Sequence, residues 1–117
     1  MLFNETKKIK IIKKIKIADS FFRKFKGLVF EKKENFDYGL IFHLEREGRI
    51  NASIHMLFVF FPIDAVFLNS KKKVVDIAKN LRPFILNYTP KKAAKYIVEL
   101  PIGLSEKIEL DDKLKWK

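Results

Sequence analysis

The 117-residue chain contains no cysteine, and it has only two histidines, four glycines and four prolines. Without cysteine, disulfides, thiolate metal centres and cysteine nucleophiles are excluded. Two histidines cannot form a three-histidine site, so a metal would need carboxylate ligands. The few glycines form neither a phosphate loop nor a dinucleotide motif, and no serine lies in a GxSxG motif. We therefore expect no metal and no cofactor, and the composition leans against an enzyme.

Long apolar segments are missing as well. The stretch from Met1 to Ile17 never gathers the apolar run that a signal peptide needs. The longest apolar run, from Met56 to Ile63, is far shorter than the roughly 20 residues that cross a bilayer. We therefore expect a cytoplasmic protein with no membrane partner, and the lack of cysteine is compatible with that compartment.

What the chain does contain is 48% hydrophobic residues and a net charge of +11. A chain of this length buries enough surface to fold without disulfide bonds or metal ions to stabilise it. No linker-like segment interrupts it, so we predict one domain over residues 1–117, as a monomer or homodimer. The richness in lysine and isoleucine, with no glutamine, is typical of proteins from thermophiles.

Most of the sequence shows the alternation of half-buried strands. Between Lys8 and Ile17, isoleucines alternate with lysines, and the break at Ile12-Lys13 suggests one strand with a bulge. Further short strands are predicted at Tyr38–Leu44, Arg49–His55, Asp64–Asn69, Val74–Leu81, Ala94–Leu100 and around Leu114 and Trp116.

A single helix is expected after the first strand. Asp19 or Ser20 can cap it, apolar residues recur at helical spacing from Phe21 to Val29, and Gly27 can end it. Many short strands with one short helix predict a mainly β domain, a compact antiparallel β-sandwich or small barrel.

Four sequence blocks occur in a recognisable order: Ala18–Phe30 ending in GLVF, Tyr38–Phe42 (YGLIF), Ile54–Leu68 (IHMLFVFFPIDAVFL) and Ala94–Gly103 (AKYIVELPIG). Together they resemble the domain of unknown function 192 family of bacteria and archaea. The resemblance covers nearly the whole chain from about residue 15, and it implies a single β-sandwich or barrel-like domain with a short helix after the first strand. The family's biochemical function is not settled, so the resemblance identifies kin rather than an activity.

The match is close at some positions and fails at others. Pro62, Asp64, Glu99, Pro101 and Gly103 fit the family pattern. Many bacterial members carry Trp-Met-Lys-Asn-Thr before Pro-Leu-Asp, whereas here the stretch from His55 to Phe61 is almost entirely apolar. A role for those polar groups therefore does not transfer to this chain.

Asp64 is the most informative carboxylate because it lies between apolar residues. An unpaired charge would be costly to bury there, so Asp64 needs a partner. The structural interpretation is that it accepts backbone N–H bonds at a turn, and we favour this over the functional one, a general base or ligand contact. An enzyme using Asp64, His55 and Glu99 is our least favoured hypothesis, since no metal-ligand spacing surrounds His55 and a histidine packed against aromatic residues explains it more simply.

The aromatic run gives the leading functional hypothesis. Successive apolar residues cannot all point inward from a strand, so part of the run should face a helix, a second chain or a ligand. We predict a binding or interaction module for a small molecule or a protein partner through an aromatic cleft, with candidate residues His55, Met56, Phe58, Phe60, Asp64 and Glu99.

The alternative is sequence-independent binding of nucleic acid. Residues 1–33 hold eleven of the basic residues against three acids. A strand and helix could present one basic face, made of Lys8, Lys10, Lys14, Lys16, Arg23, Lys24 and Lys26. A solubilising surface explains these lysines more simply, because aromatic stacking residues do not alternate with them.

Overall fold

The computed structural model describes residues 1–18, 28–56 and 58–117. These parts of the chain form the strands β1 (Leu2–Asn4), β2 (Ile9–Ile12), β3 (Ile15–Ala18), β4 (Gly39–Gly48), β5 (Ile63–Leu68), β6 (Val74–Leu81), β7 (Ala94–Pro101) and β8 (Leu114–Trp116). They also form three short 3-10 helices, η1 (Lys33–Asn35), η2 (Ile50–Ala52) and η3 (Leu104–Lys107). Residues 19–27 of the predicted helix lie outside the described residues.

The strands form two sheets that pack face to face. One sheet has the order β2-β1-β8 and the other β3-β4-β7-β5-β6. Leu2, Ile11 and Leu114 of the smaller sheet share a buried cluster with Ile41 and Val98 of the larger one. Burying these side chains between the two layers removes apolar surface from water and drives the sheets together.

The opposite face of the larger sheet is covered by connecting segments. Phe42, Phe67 and Ile97 project from this face into a second cluster. Met56 and Phe61, from the loop before β5, pack into the same cluster. Because both faces are covered, the strand from Ile63 to Leu68 is buried at every position.

The mainly β sandwich is confirmed, with two refinements to the sheets. The pairs of strands are antiparallel except that β3 and β4 run parallel, which makes the larger sheet mixed. A parallel pair needs a long connection, and the segment between Ala18 and Gly39 is long enough. The described strands form two separate sheets and no closed barrel, so the barrel alternative is wrong.

The predicted single strand from Lys8 to Ile17 is wrong in its continuity. Ile9–Ile12 belongs to the smaller sheet and Ile15–Ala18 to the larger one. The chain changes sheets at Lys13-Lys14, directly beside the break in the alternation at Ile12-Lys13, so the break marks a crossing between layers rather than a bulge. Burial does not follow parity throughout, since Ile9 is exposed while Ile11 is buried.

The other strand predictions mostly hold. Val74–Leu81 is confirmed residue for residue, and β4, β5, β7 and β8 match their predictions within a few residues at the ends. The predicted strand Arg49–His55 is wrong, because η2 and a single bridge between Ile54 and Tyr88 occupy this segment. β1 was missed, since three residues are too few to show a period.

None of the helices in the described part of the chain is both long and apolar enough to cross a membrane.

Candidate functional site

Four phenylalanine rings meet on the surface of the molecule. We call Phe30, Phe58, Phe60 and Phe84 the aromatic patch. Phe30 stacks on Phe58 with ring centroids 5.1 Å apart, and Phe84 contacts both Phe60 at 5.3 Å and Phe58 at 6.1 Å. Their exposed fractions are 68, 49, 58 and 45% in sequence order. A contiguous group of large, half-exposed apolar rings typically marks a binding surface.

The backbone of the aromatic patch is strained. Phe30, Phe58 and Phe84 have φ values of 59°, 56° and 66°, in the left-handed region that favours glycine. For a bulky side chain this conformation costs on the order of 1 kcal/mol or more at each position. Backbone strain of this kind concentrates at binding and active sites, because the surrounding structure must be built to hold it.

Backbone hydrogen bonds hold the strained residues in place. The amide of Phe30 donates to the carbonyl oxygen of Phe58 at 2.9 Å, and the amide of Phe84 donates to that of Met56 at 2.7 Å. The amide of Met56 in turn donates to the carbonyl oxygen of Ile85 at 2.7 Å. Three separate loops are thereby joined into one platform beneath the rings.

The loop before β5 divides its apolar residues between the core and the surface. Met56, Val59 and Phe61 are buried, whereas Phe58 and Phe60 are exposed. Phe58 and Phe60, two of the candidate ligand-binding residues, therefore face outward. Met56 lies in the core beneath the patch, not on the surface.

Sequence reasoning missed two members of the aromatic patch, Phe30 and Phe84. Phe84 follows Arg82 and Pro83 in a turn, and Phe30 ends the GLVF block just before a charged loop. A phenylalanine in a turn belongs to no strand or helix that would bury its ring. This position in the sequence is the signal that could have identified Phe30 and Phe84 as exposed residues. His55 is exposed at the start of the loop that carries Phe58 and Phe60.

Asp64 is fully engaged with groups of the protein itself. Its Oδ1 accepts from the Asn80 amide at 2.9 Å. Its Oδ2 accepts from the Gly103 amide at 2.9 Å, the Ser105 amide at 3.1 Å and the Ser105 hydroxyl at 2.6 Å. This carboxylate joins β5 to β6 and to the start of η3, which corresponds to the structural interpretation of Asp64.

Glu99 is buried in very different surroundings. It lies on β7, the central strand of the larger sheet, paired with Leu40 on β4 and Ala65 on β5. Burial raises the pKa of its carboxyl group to about 8. Within residues 1–18, 28–56 and 58–117, no hydrogen bond reaches this carboxyl group.

The register of the sheet separates these two carboxyl groups. Directly paired residues of antiparallel strands project from the same face. Asp64 pairs with Leu100, in the cluster between the sheets, and Glu99 pairs with Ala65, in the cluster on the other face. Asp64 and Glu99 therefore do not converge with His55 into one catalytic group. No group of three metal-ligating side chains occurs among the described residues.

The predicted basic face is described for four of its seven residues. Lys8, Lys10, Lys14 and Lys16 are exposed, while Arg23, Lys24 and Lys26 lie outside the described residues. Lys14 forms an ion pair with Asp37 at 3.3 Å, and the Lys16 ammonium lies 4.1 Å from the centroid of the Tyr38 ring. The change of sheet after Ile12 divides this set between the two layers.

Comparison with known proteins decides the family. The model of the DUF192 family, described as "Uncharacterized ACR, COG1430", matches residues 2–116. The chain belongs to the DUF192 family. This DUF192 domain is 44% identical to a UPF0127 protein of Thermococcus sibiricus, over 100% of the chain and 75% of the relative. It is 46% identical to the UPF0127 protein PF1050 of Pyrococcus furiosus, over 98% of the chain and 97% of the relative.

Two solved structures share the fold of this DUF192 domain. A protein of unknown function from Novosphingobium aromaticivorans matches with a TM-score of 0.78 and 24% identity, over 87% of this chain and 74% of the other. A putative transcription regulator from Sinorhizobium meliloti matches with a TM-score of 0.77 and 19% identity, over 86% of this chain and 79% of the other. At these identities the similarity establishes the fold.

Proposed function

We propose that this DUF192 domain is a protein-interaction module and that the aromatic patch is its docking surface. The observation that carries the proposal is the contact between four exposed phenylalanine rings, three of them on a left-handed backbone. A fold that holds bulky side chains outward in a strained conformation gains no core packing from their exposed area. Contact with a partner explains both the exposure and the strain.

A protein partner is favoured over a small molecule because of the exposure of the rings. Small-molecule sites are concave and enclose most of the ligand's surface. Phe30 and Phe60 are each more than half exposed, so they present an open surface rather than the walls of a cleft. Clustered aromatic side chains are also typical of the energetically dominant residues in protein interfaces.

The charge of the domain indicates what kind of partner fits. Each copy carries a net charge of +11, so two copies repel one another while an acidic partner is attracted. Arg82, two residues before Phe84, is exposed, as are Lys32 and Lys33 shortly after Phe30. We infer that the partner presents apolar side chains within an acidic segment.

The proposal is tested with two synthetic peptides of equal length, one alternating leucine with aspartate and one alternating leucine with lysine. The isotopically labelled domain is titrated with each peptide and followed by NMR. We expect the acidic peptide to bind saturably, with the largest amide shifts at Phe30, Phe58, Phe60 and Phe84. Phe60→Ser should weaken binding about tenfold or more, as expected when a central interface residue is truncated.

The matched control is Leu110→Ser, which removes an exposed apolar side chain from the loop between η3 and β8. This variant should bind like the wild type. Equal binding of the lysine peptide, or an unchanged affinity of Phe60→Ser, would overturn the proposal. So would a dimer that Phe60→Ser dissociates in sedimentation experiments, because the patch would then be a homodimer interface.

Nucleic-acid binding through the lysines remains the alternative, and it predicts a different result. Contacts with about six phosphates would give duplex DNA binding whose log-log dependence on salt has a slope near −5. Amide shifts would then occur along Lys8, Lys10, Lys14 and Lys16 rather than at the aromatic patch. Such a result would replace the protein-docking proposal.

A further inference from the structure

The outer face of the smaller sheet carries a row of three paired residues. Phe3 on β1 pairs with Lys10 on β2 and with Lys115 on β8. Directly paired residues of antiparallel strands project from the same face, and the two neighbours of Phe3 in the chain, Leu2 and Asn4, are buried. Leu2 packs into the cluster between the two sheets. The row of Lys10, Phe3 and Lys115 therefore projects away from the larger sheet.

Further lysines extend this face along β8. Lys113, Lys115 and Lys117 are exposed and occupy alternate positions, with Leu114 buried between the first two. Alternate residues of a strand are roughly 7 Å apart, which is comparable with the spacing of successive phosphates along a nucleic-acid strand. Lys113 also forms an antiparallel bridge with Lys73, which is exposed as well. We call the resulting surface the Phe3 face, and its residues are Phe3, Lys10, Lys73, Lys113, Lys115 and Lys117.

The positive charge of the Phe3 face is not neutralised within the described part of the chain. The ion pairs found among residues 1–18, 28–56 and 58–117 include none of its five lysines. An acid that lies beside them is Glu5, whose amide donates to the carbonyl oxygen of Lys113 at 2.8 Å. Like charges paired across two strands, as in Lys73 and Lys113, destabilise a sheet. A bound polyanion would relieve this repulsion.

Phe3 places an aromatic ring in the middle of these lysines. The ring is half-buried, and Phe3 belongs to neither of the two buried clusters. Nζ of Lys115 lies 5.2 Å from the centroid of the ring. A cation–π contact at an exposed site is weak, so the ammonium can exchange it for a phosphate and leave the ring free to stack on a base. Aromatic rings set among basic residues are typical of proteins that bind single strands.

We propose that the Phe3 face binds single-stranded nucleic acid, with phosphates on the lysines and one base stacked on Phe3. A lysine contacts phosphate as a point charge and carries no sequence information there, so binding is independent of sequence. A single strand is favoured over a duplex because unpaired bases expose their faces to the ring. Single strands of RNA and of DNA share this chemistry.

The Phe3 face is separate from the aromatic patch and differs from the predicted basic face. The smaller sheet covers one face of the larger sheet, whereas the loop that carries Phe58 and Phe60 packs Met56 and Phe61 onto the other. Of its five lysines, only Lys10 belongs to the predicted basic face. The single-strand proposal therefore stands or falls independently of the docking proposal.

The test measures binding of fluorescein-labelled poly(U), poly(dT) and a DNA duplex, each of about 15 nucleotides per strand, by fluorescence anisotropy at several salt concentrations. We expect the single strands to bind more tightly than the duplex. The log-log dependence of their affinity on salt should have a slope near about −3.5, because each of five lysine–phosphate contacts contributes about −0.7. Binding of either single strand supports the proposal, and the tighter one identifies the sugar that the face prefers.

Three variants separate the ring from the charges. Phe3→Leu should weaken the binding of single strands about tenfold and leave the salt slope unchanged, because the stacking is lost while every lysine remains. Lys115→Gln should reduce the magnitude of the slope by about 0.7. The matched control is Lys79→Gln, which removes the same charge from an exposed lysine of β6 that is paired with Glu106. This control should change neither the affinity nor the slope appreciably.

Several results would overturn the proposal. Equal changes of slope in Lys115→Gln and Lys79→Gln would mean that the net charge attracts nucleic acid without a defined site. A duplex that binds as tightly as the single strands would remove the role of stacking. Tight binding to vesicles of phosphatidylserine and phosphatidylcholine, weakened by Phe3→Leu, would instead make this face a membrane contact, although a half-buried ring is poorly placed to insert. Lys115 and Lys79 are exposed, so their comparison tests the proposal even if Phe3→Leu does not fold.

Discussion

Asp64 and Glu99 occupy adjacent strands one register position apart, yet their carboxyl groups project from opposite faces of the larger sheet. The Asp64 carboxylate accepts four hydrogen bonds, whereas no described residue donates to Glu99. Removing the charge should therefore have opposite effects at the two positions. At Asp64 the negative charge is stabilised by four hydrogen-bond donors. At Glu99 burial removes water from the charge, and no described donor replaces that water.

Asp64→Asn should destabilise the domain. The substituted amide cannot accept from the Asn80, Gly103 and Ser105 groups together, so at least one buried donor is left without a partner. We expect the free energy of unfolding to fall by about 3 kcal/mol, as measured by urea denaturation. Asp37→Asn, which removes an exposed ion pair with Lys14, should change it by less than about 1 kcal/mol. A similar small effect at Asp64 would show that its hydrogen bonds do not stabilise the fold.

Glu99→Gln should stabilise the domain at neutral and alkaline pH. The pKa of Glu99 is raised to about 8 in the folded protein, so its favourable contribution is complete below the unfolded value near 4.5. This contribution to the free energy of unfolding falls by roughly 1.4 kcal/mol per pH unit above about pH 4.5, and it is lost once the pH has risen through about 8. Denaturation from pH 4 to 10 should show this decline in the wild type and a flatter profile in Glu99→Gln. Parallel profiles would mean that Glu99 titrates normally in the folded state.

Phe58→Gly should cost little stability although it removes a whole aromatic ring. The φ of Phe58 is 56°, a conformation that glycine adopts without strain, and half of the ring is exposed. We expect the free energy of unfolding to stay within about 1 kcal/mol of the wild type. Phe61→Ala, three residues later in the core, should cost about 3–5 kcal/mol. Comparable losses in the two variants would show that Phe58 is a core residue.

Asp112→Asn should reduce the resistance of the domain to acid. Burial alone would raise the pKa of Asp112, but hydrogen bonds from Asn4, the Glu109 amide and Lys7 outweigh it and lower the pKa below 3.8. A lowered pKa in the folded state contributes stability above the unfolded value, and this is lost as the pH falls through the folded value. Acid denaturation followed by circular dichroism should begin at a higher pH in Asp112→Asn than in the wild type. An unchanged onset would indicate that other carboxylates control acid unfolding.

Local pattern accounts for the elements that the sequence predicted well. In Val74–Leu81 and Ala94–Pro101 apolar residues and strand-forming side chains agree over eight positions, so the strands follow from the sequence. The wrong prediction at Arg49–His55 has an ambiguous local pattern: the composition is typical of a strand, but the backbone turns through η2 and pairs at a single bridge. The Lys8–Ile17 alternation likewise does not reveal which sheet each half joins.

The residues of the candidate sites also differ in how far the sequence predicts them. Two of the four patch residues, Phe58 and Phe60, could be found from the sequence because a continuous apolar run exceeds what one buried face accommodates. Phe30 and Phe84 join them through hydrogen bonds between loops that are distant in the chain. The Phe3 face depends on a register that pairs Phe3 with Lys115, at the other end of the sequence.

The amino-acid sequence alone settled that this is a cysteine-free, strongly basic β domain of the DUF192 family, because composition, period and motif are properties of short stretches of chain. The tertiary structure decided which rings share a surface and from which face of the larger sheet each of the buried carboxyl groups of Asp64 and Glu99 projects. Both depend on strand register and on loops meeting across the sheet, and these arise only when the two apolar faces of the larger sheet are buried together.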